Sequence, residues 1–187
     1  WKRQIKMKDA ITEEIELPEG TSAAVDKGLV KIKRKKGEVQ KSMVSPNVDI
    51  GVKDNRIMIN AGVSTKREKK VIGSFKSHIR NMIKTSNEGC IYKLKICSGH
   101  FPMNVSVQGD KLSVKNFLGE KVPRELKIKN GAAVKVNGDI IDVEGVDKEL
   151  VSQVAADIEQ LTRRTAYDLR IFQDGIYIIS KDGKDIQ

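Results

Sequence analysis

Rings are scarce in this chain: among 187 residues there are four Phe, three Tyr and one Trp, 4% in all. A core can still form from the 39% of residues that are hydrophobic, but it has to be built of Val, Ile and Leu, which suits small sheets packed on helices. Cysteine is nearly missing too. Cys90 and Cys97 are too few for a secreted disulfide framework, and no charged-then-apolar leader is recognisable, so a reducing, cytoplasmic setting is expected. No apolar run of about 18 residues and no basic amphipathic helix with an aromatic face occurs, which argues against a membrane partner.

Signature motifs are missing as well. The chain has no G-x-S-x-G elbow, Walker loop, G-x-G-x-x-G or H-E-x-x-H, so the usual nucleophile, phosphate and metallohydrolase chemistries have no carrier, and no catalytic residue is assigned. Cys90, Cys97, His78 and His100 lack the knuckle spacing of a zinc site, so no metal or cofactor is expected. The cysteines are taken as ordinary buried thiols, and His100 as a turn histidine bonding locally. Asp139, Asp142 and Glu144 form an acidic cluster, but on an alternating strand Asp142 and Glu144 share a face that meets water.

What is abundant is positive charge. Lys and Arg number 35 against 25 acids, a net charge of +10 and a pI near 9.5, which favours a polyanionic partner, nucleic acid first. Up to Glu88 there are 20 basic and 11 acidic residues, and beyond it 15 and 14. The excess therefore sits in the first half, at Lys31, Lys33, Arg34, Lys35 and Lys36 and along Lys66, Arg67, Lys69, Lys70, Lys76 and Arg80. Any one of these runs also fits a solvated loop or helix face.

The chain repeats itself at an offset of 83 residues: Gly62-Val63 falls on Gly145-Val146, Val71 on Val154 and Phe75 on Ile158, and Gly37-Glu38 falls on Gly119-Glu120 with a one-residue gap. Apolar spacing with a Thr65/Glu68 capping box predicts a helix from about Ser64 to Lys84. Asp147 as N-cap and the stripe Leu150, Val151, Val154, Ile158, Leu161 predict another to about Arg163. Before the helices come alternating runs: LVKIK and NRIMIN in the first half, then LSVKNF, ELKIK, AAVKV and DIIDVEG, with breaks at Gly109-Asp110, Asn130-Gly131 and Asn137-Gly138. IYKLKI and IYIIS follow the helices. The expected fold is α+β: two duplicated domains, residues 7–87 and 88–187, each an antiparallel sheet packed around one helix. Residues 1–6, ahead of Met7, are expected to be an upstream extension.

Three loops then stand out: HFPMN from His100, NFLGEKVPR from Asn116 and FQDGIYIISK from Phe172. Each mixes a ring, Gly or Pro, and cations, a combination that suits close approach to a phosphate backbone. The alternative, favoured on the scarcity of rings, is that Phe101, Phe117, Phe172 and Tyr177 are core.

HFPMN, NFLGEKVPR, GVDKELVSQVAADIEQ and DLRIFQDGIYIISK, in that order, together with the opening TEEIELPEG, resemble the archaeal and eukaryotic branch of the protein-six family of the large ribosomal subunit. The resemblance implies two related α+β domains and a non-enzymatic ribonucleoprotein role in translation. The implied partners are large-subunit rRNA near the stalk base, the sarcin-ricin loop and the factor-binding region, with neighbouring ribosomal proteins and translation GTPases close by and no second copy of the chain. By position it places RNA contacts at Lys115, Asn116, Lys121 and Arg124, at Arg163 and Arg164, and at Arg170, Gly175, Tyr177 and Lys181. Lys33, Arg34, Lys35 and Lys36 form a secondary basic surface. The competing reading is an extra-ribosomal, basic protein-interaction module.

Overall fold

Alternation of apolar and polar residues dominates the first half, and the computed structural model, which describes residues 10–63, 65–168 and 170–186, folds it into short antiparallel strands. The expected extension at 1–6 and the expected helix start at Ser64 lie outside the described residues. The chain divides into two units, with the break between Glu88 and Gly89.

In the first unit, β1 (Ile11–Glu16), β2 (Ser22–Asp26), β3 (Leu29–Arg34), β4 (Gly37–Ser42), β5 (Asp49–Lys53) and β6 (Arg56–Ala61) precede α1 (Lys66–Glu88). They form two three-stranded sheets, β1-β6-β5 and β2-β3-β4. Every second residue points inward, so Val30 and Ile32 of β3 and Ile57 and Ile59 of β6 are fully buried beside Ile72 and Ile79 of the helix. Each such side chain contributes about 1.5–3 kcal/mol on leaving water. At the helix start Thr65 Oγ1 accepts the Arg67 N–H at 3.3 Å. Glu68 receives a bond from Asn47 Nδ2 at 3.1 Å, and that bond is the chief reason its carboxyl lies below the usual range, with the Thr65 N–H assisting.

The second unit holds β7 (Cys90–Cys97), β8 (Asn104–Gln108), β9 (Lys111–Lys115), β10 (Arg124–Lys127), β11 (Ala132–Asn137), β12 (Ile140–Gly145), α2 (Lys148–Leu161), β13 (Gly175–Lys181) and β14 (Lys184–Asp185). Its sheets run β11-β12-β7-β13-β14 and β10-β9-β8. Asp147 caps α2, its carboxylate accepting the Glu149 N–H at 2.9 Å. The helix lays Val151, Val154, Ala155 and Ile158 on Leu94, Ile141, Val143 and Ile176, closing the core. The class is α+β, as the sequence patterns predict.

The duplication is visible strand by strand: β1-β6-β5 matches β7-β12-β11, and β2-β3-β4 matches β8-β9-β10. One alignment is corrected. Gly37-Glu38 opens β4 and pairs with Arg34 and Lys33, whereas Gly119-Glu120 lies in the β9–β10 connection, so these two pairs are not equivalent. The copies also differ in two places. The β3–β4 connection is the dipeptide Lys35-Lys36, while β9 and β10 are joined by Asn116 to Pro123; and after α2 the chain runs through 162–174 into β13, a strand with no counterpart beside β1 among the described residues.

Candidate nucleic-acid interface

These two additions meet. The β9–β10 connection begins with Asn116 at φ 59 and Leu118 at φ 46, a left-handed path wound into one turn of 3₁₀ helix, Phe117–Gly119. It drives Phe117 into the core, where the ring is 1% exposed. Asn116 Nδ2 donates to the Pro102 carbonyl at 3.0 Å, tying this loop to the one after β7. Gly119, at φ 79, faces the Phe101 ring, which lies 3.8 Å from where a Cβ would sit. Glycine meets both demands of that position.

Arg124 is consumed inside the protein. Its Nε and Nη2 donate to the two oxygens of Glu120, each at 2.8 Å, its Nη1 donates to the Leu161 carbonyl at the end of α2 at 2.6 Å, and the guanidinium lies 4.5 Å over Phe117. Arg164 arrives from the segment after α2, donates to the same Glu120 carboxylate, and stacks on Phe117 at 4.9 Å and Tyr167 at 4.7 Å. The Arg124 hydrogen bond is the main reason the Glu120 carboxyl stays below the usual range, against a smaller upward push from burial. Both arginines therefore pin the loop to the helix end with their donors turned inward.

A second clasp joins the loop after β7 to the tail. Asp174, its side chain 1% exposed, accepts the Gly99 N–H at 2.7 Å, the His100 N–H at 2.9 Å and His100 Nδ1 at 2.6 Å. Burial pushes the Asp174 carboxyl up, but these donors outweigh it and hold the group below the ordinary range. His100 is thus not a locally bonded turn histidine: its partner stands 74 residues away. Its ring stacks on Phe172 at 4.8 Å, and Tyr167 meets Phe172 edge-on at 5.1 Å.

The rings are not all core. Phe117 is, but Phe101 is 47% and Tyr177 40% exposed, and Phe172 is half-buried. Phe101 and Phe172 lie in loops, where alternation sets no inside face, and Tyr177 lies on an outward position of β13, so these three keep part of their rings in water. Tyr177 sits over Gly175, with its hydroxyl 3.1 Å from the place a Cβ would take, and burial of that hydroxyl raises its pKa.

The remaining cations fall into two sets. Lys115, Lys121 and Arg163 are exposed and have no side-chain partner among the described residues. Arg170 is 91% exposed and paired with Asp168 at 3.0 Å. Lys181 closes β13, about 20 Å along the strand from Gly175, so it does not join the loop cluster. Of the first-half residues, Lys33 and Lys35 are exposed, Arg34 Nη2 donates to the Glu19 carbonyl at 3.3 Å, and Lys36 Nζ donates to the Glu88 carbonyl at 2.7 Å. Sequence reasoning missed Asp174 and Tyr167. Among the described residues no group of three or more His, Cys, Asp or Glu can hold a metal ion, and no helix is long and apolar enough to cross a membrane. Cys90 is buried and Cys97 half-buried. On the acidic strand Asp142 and Glu144 share the part-exposed face opposite the buried Ile141 and Val143; Asp142 Oδ2 accepts from Asn137 Nδ2 at 3.2 Å, while its Oδ1 is buried without a hydrogen-bond partner among the described residues.

Fold and loops together define a duplicated α+β protein whose second repeat is elaborated with a basic, ring-bearing loop cluster. The family model for ribosomal protein L6 matches residues 101–175, from the exposed Phe101 to the Gly175 that opens β13. Large ribosomal subunit protein uL6 of Methanococcus vannielii is 42% identical over 174 residues, covering 93% of this chain and 96% of that protein. The protein of the same name from Methanobrevibacter smithii is 42% identical over 173 residues, covering 92% and 97%. The chain belongs to the ribosomal protein L6 family, in its archaeal branch.

Proposed function

We propose that the chain is a structural, non-catalytic component of the large ribosomal subunit that binds large-subunit rRNA through the loop cluster of its second unit. Membership of the family supports the ribosomal setting in the cytoplasm, since both relatives carry the name of a large-subunit protein. The observation that carries RNA binding is the charge left over in the cluster. Glu120 is taken by Arg124 and Arg164, Asp168 by Arg170, and Asp174 by His100, while Lys115, Lys121 and Arg163 stay exposed. A surface whose acids are engaged by internal donors and whose exposed, unpartnered charges are positive suits phosphate.

Roles within the cluster follow from this arrangement. Lys115, Lys121 and Arg163 contact phosphates, Arg170 extends the basic margin, and Arg124, Arg164 and Asn116 hold the loop in shape, while Lys181 offers a separate cation at the far end of β13. Gly175 and Tyr177 fix the start of the tail strand. Lys33, Arg34, Lys35 and Lys36 add diffuse attraction from the first unit. The site on the subunit is the stalk base near the sarcin-ricin loop and factor-binding region, with neighbouring ribosomal proteins and translation GTPases close by.

The test is binding of the full chain to large-subunit rRNA through a salt series. Lys121→Ala with Arg163→Ala should flatten the log–log salt slope by about one to two and cost more affinity than Lys35→Ala with Lys36→Ala. Equal effects of the two pairs remove the special standing of the loop cluster. Binding to large subunits that survives high salt and needs no RNA favours a protein-interaction module instead.

A further inference from the structure

In a chain with eight rings, Phe101, Phe117, Tyr167 and Phe172 gather in one loop cluster together with His100. A chain of contacts connects them: Phe117 to Tyr167 through the Arg164 guanidinium, Tyr167 to Phe172 edge-on, Phe172 to His100 face-on, and Phe101 next in the chain and against Gly119. Only Phe117 is fully buried; Phe101 and Tyr167 are 47% and 43% exposed, and Val122 in the β9–β10 connection and Ile171 next to Phe172 are exposed as well. A concentration of exposed rings held by their neighbours is costly in water and marks a contact surface.

We propose that this patch, with Phe101 and Tyr167 as its open faces, receives an unstacked nucleobase of the bound RNA; the inference rests on the RNA-binding reading above. The geometry is fixed before any ligand arrives. Asp174 locks the His100 ring, His100 backs Phe172, and Arg164 is clamped by Glu120 while its guanidinium carbon lies over the Tyr167 ring. Little rotamer freedom is left to lose on binding. A nucleobase is a flat π surface tethered to phosphates, and here the exposed Lys121 and Arg163 are the chain neighbours of Glu120 and Arg164, the pair that joins the Phe117 and Tyr167 rings. A docked apolar peptide would match the rings but leave those cations unanswered.

The experiment uses the full chain with fluorescein-labelled single-stranded RNA 12-mers, one of natural sequence and one in which the central bases are replaced by abasic ribose, titrated at two salt concentrations. Phe101→Ala and Tyr167→Ala should each weaken binding of the natural strand by about 5- to 100-fold, leave the salt slope unchanged and leave the abasic strand unaffected. Tyr167→Phe, which keeps the ring, should bind like the parent. Tyr167→Ala gives up its contacts with Arg164 and Phe172, and Phe101→Ala its contact with Gly119, so melting curves should shift by only a few degrees and leave each variant folded at the assay temperature. Ring variants that bind both strands as the parent does overturn the stacking site while the salt slope still reports phosphate binding. A parent chain that binds neither strand at low salt overturns the RNA reading and this inference with it. Ring variants that lose incorporation into large subunits with unchanged RNA affinity also overturn it, in favour of a protein partner.

Discussion

Arg124→Ala separates holding a loop from touching RNA. In the parent the guanidinium makes two bonds to Glu120 at 2.8 Å, one to the Leu161 carbonyl at 2.6 Å and a stack on Phe117 at 4.5 Å, with the side chain 24% exposed. A hydrogen bond to a charged group is worth about 1.5–3 kcal/mol when well buried, and partial exposure of this ion pair cuts its share to about 1 kcal/mol. The unanswered Leu161 carbonyl costs about 1 kcal/mol, and the lost ring contact about 0.5–1 kcal/mol. The total, about 2–3 kcal/mol, lowers the melting temperature of a unit of this size by roughly 10–15 °C. The assay is thermal melting of the full chain by circular dichroism, with Lys121→Ala alongside. Lys121 has no partner among the described residues, so its removal should shift the melting point by no more than about 2 °C while weakening RNA binding. An Arg124→Ala chain that melts within about 2 °C of the parent yet loses RNA affinity as Lys121→Ala does would refute the reasoning, because the guanidinium would then be acting outward.

Acid should loosen the second unit: Asp174 and Glu120 both lie below their ordinary values in the folded protein, so their contribution is complete above about pH 4–5 and is lost as pH falls through the depressed folded values. Asp174→Asn should flatten that acid limb in a stability-against-pH series, and an unchanged limb would show the clasp to be idle. Phe117→Ala should cost about 3–5 kcal/mol, read by urea denaturation, because it empties a fully buried site and strips both arginines of their shared face. Asp147→Ala should cost about 1 kcal/mol through loss of the α2 cap, with RNA affinity unchanged.

Legibility in the sequence tracked how local each signal was. α2 was readable because Asp147 and the Val151, Val154, Ile158 stripe lie within a few turns of one another, and β9 to β12 because their turns fall at Gly109, Gly131 and Gly138, all with positive φ. β2, SAAVD, and β4, GEVQKS, went unseen: the one is short with small residues, the other opens with Gly, and sheet partners rather than propensity make them strands. α1 ran on past Lys84 to Glu88, where Thr85 and Ser86 turn their hydroxyls back onto the Asn81 and Ile83 carbonyls. In the site, the cationic loop was legible as a loop, but not which cations it spends internally. Arg124 and Arg164 look the same in sequence as Lys121 and Arg163, and only the fold brings Glu120 under the first pair. The Asp174–His100 bond joins residues with no spacing rule between them.

The placement of β7 sets an order of events during synthesis. It is the first strand of the second unit to be made and the middle strand of its sheet, flanked by β12 from Ile140 and β13 from Gly175. Leu94 and Ile96 must therefore stay uncovered while the loop cluster and α2 are still being made, a long-range closure that is slow and leaves apolar strand surface open to wrong partners. The first unit can finish on its own, since its last element, α1, ends at Glu88. The second waits for β13, the strand that follows the loop cluster and to which only the short β14 is then added, so the rings and arginines of the cluster reach their final places only as folding of that unit is completed.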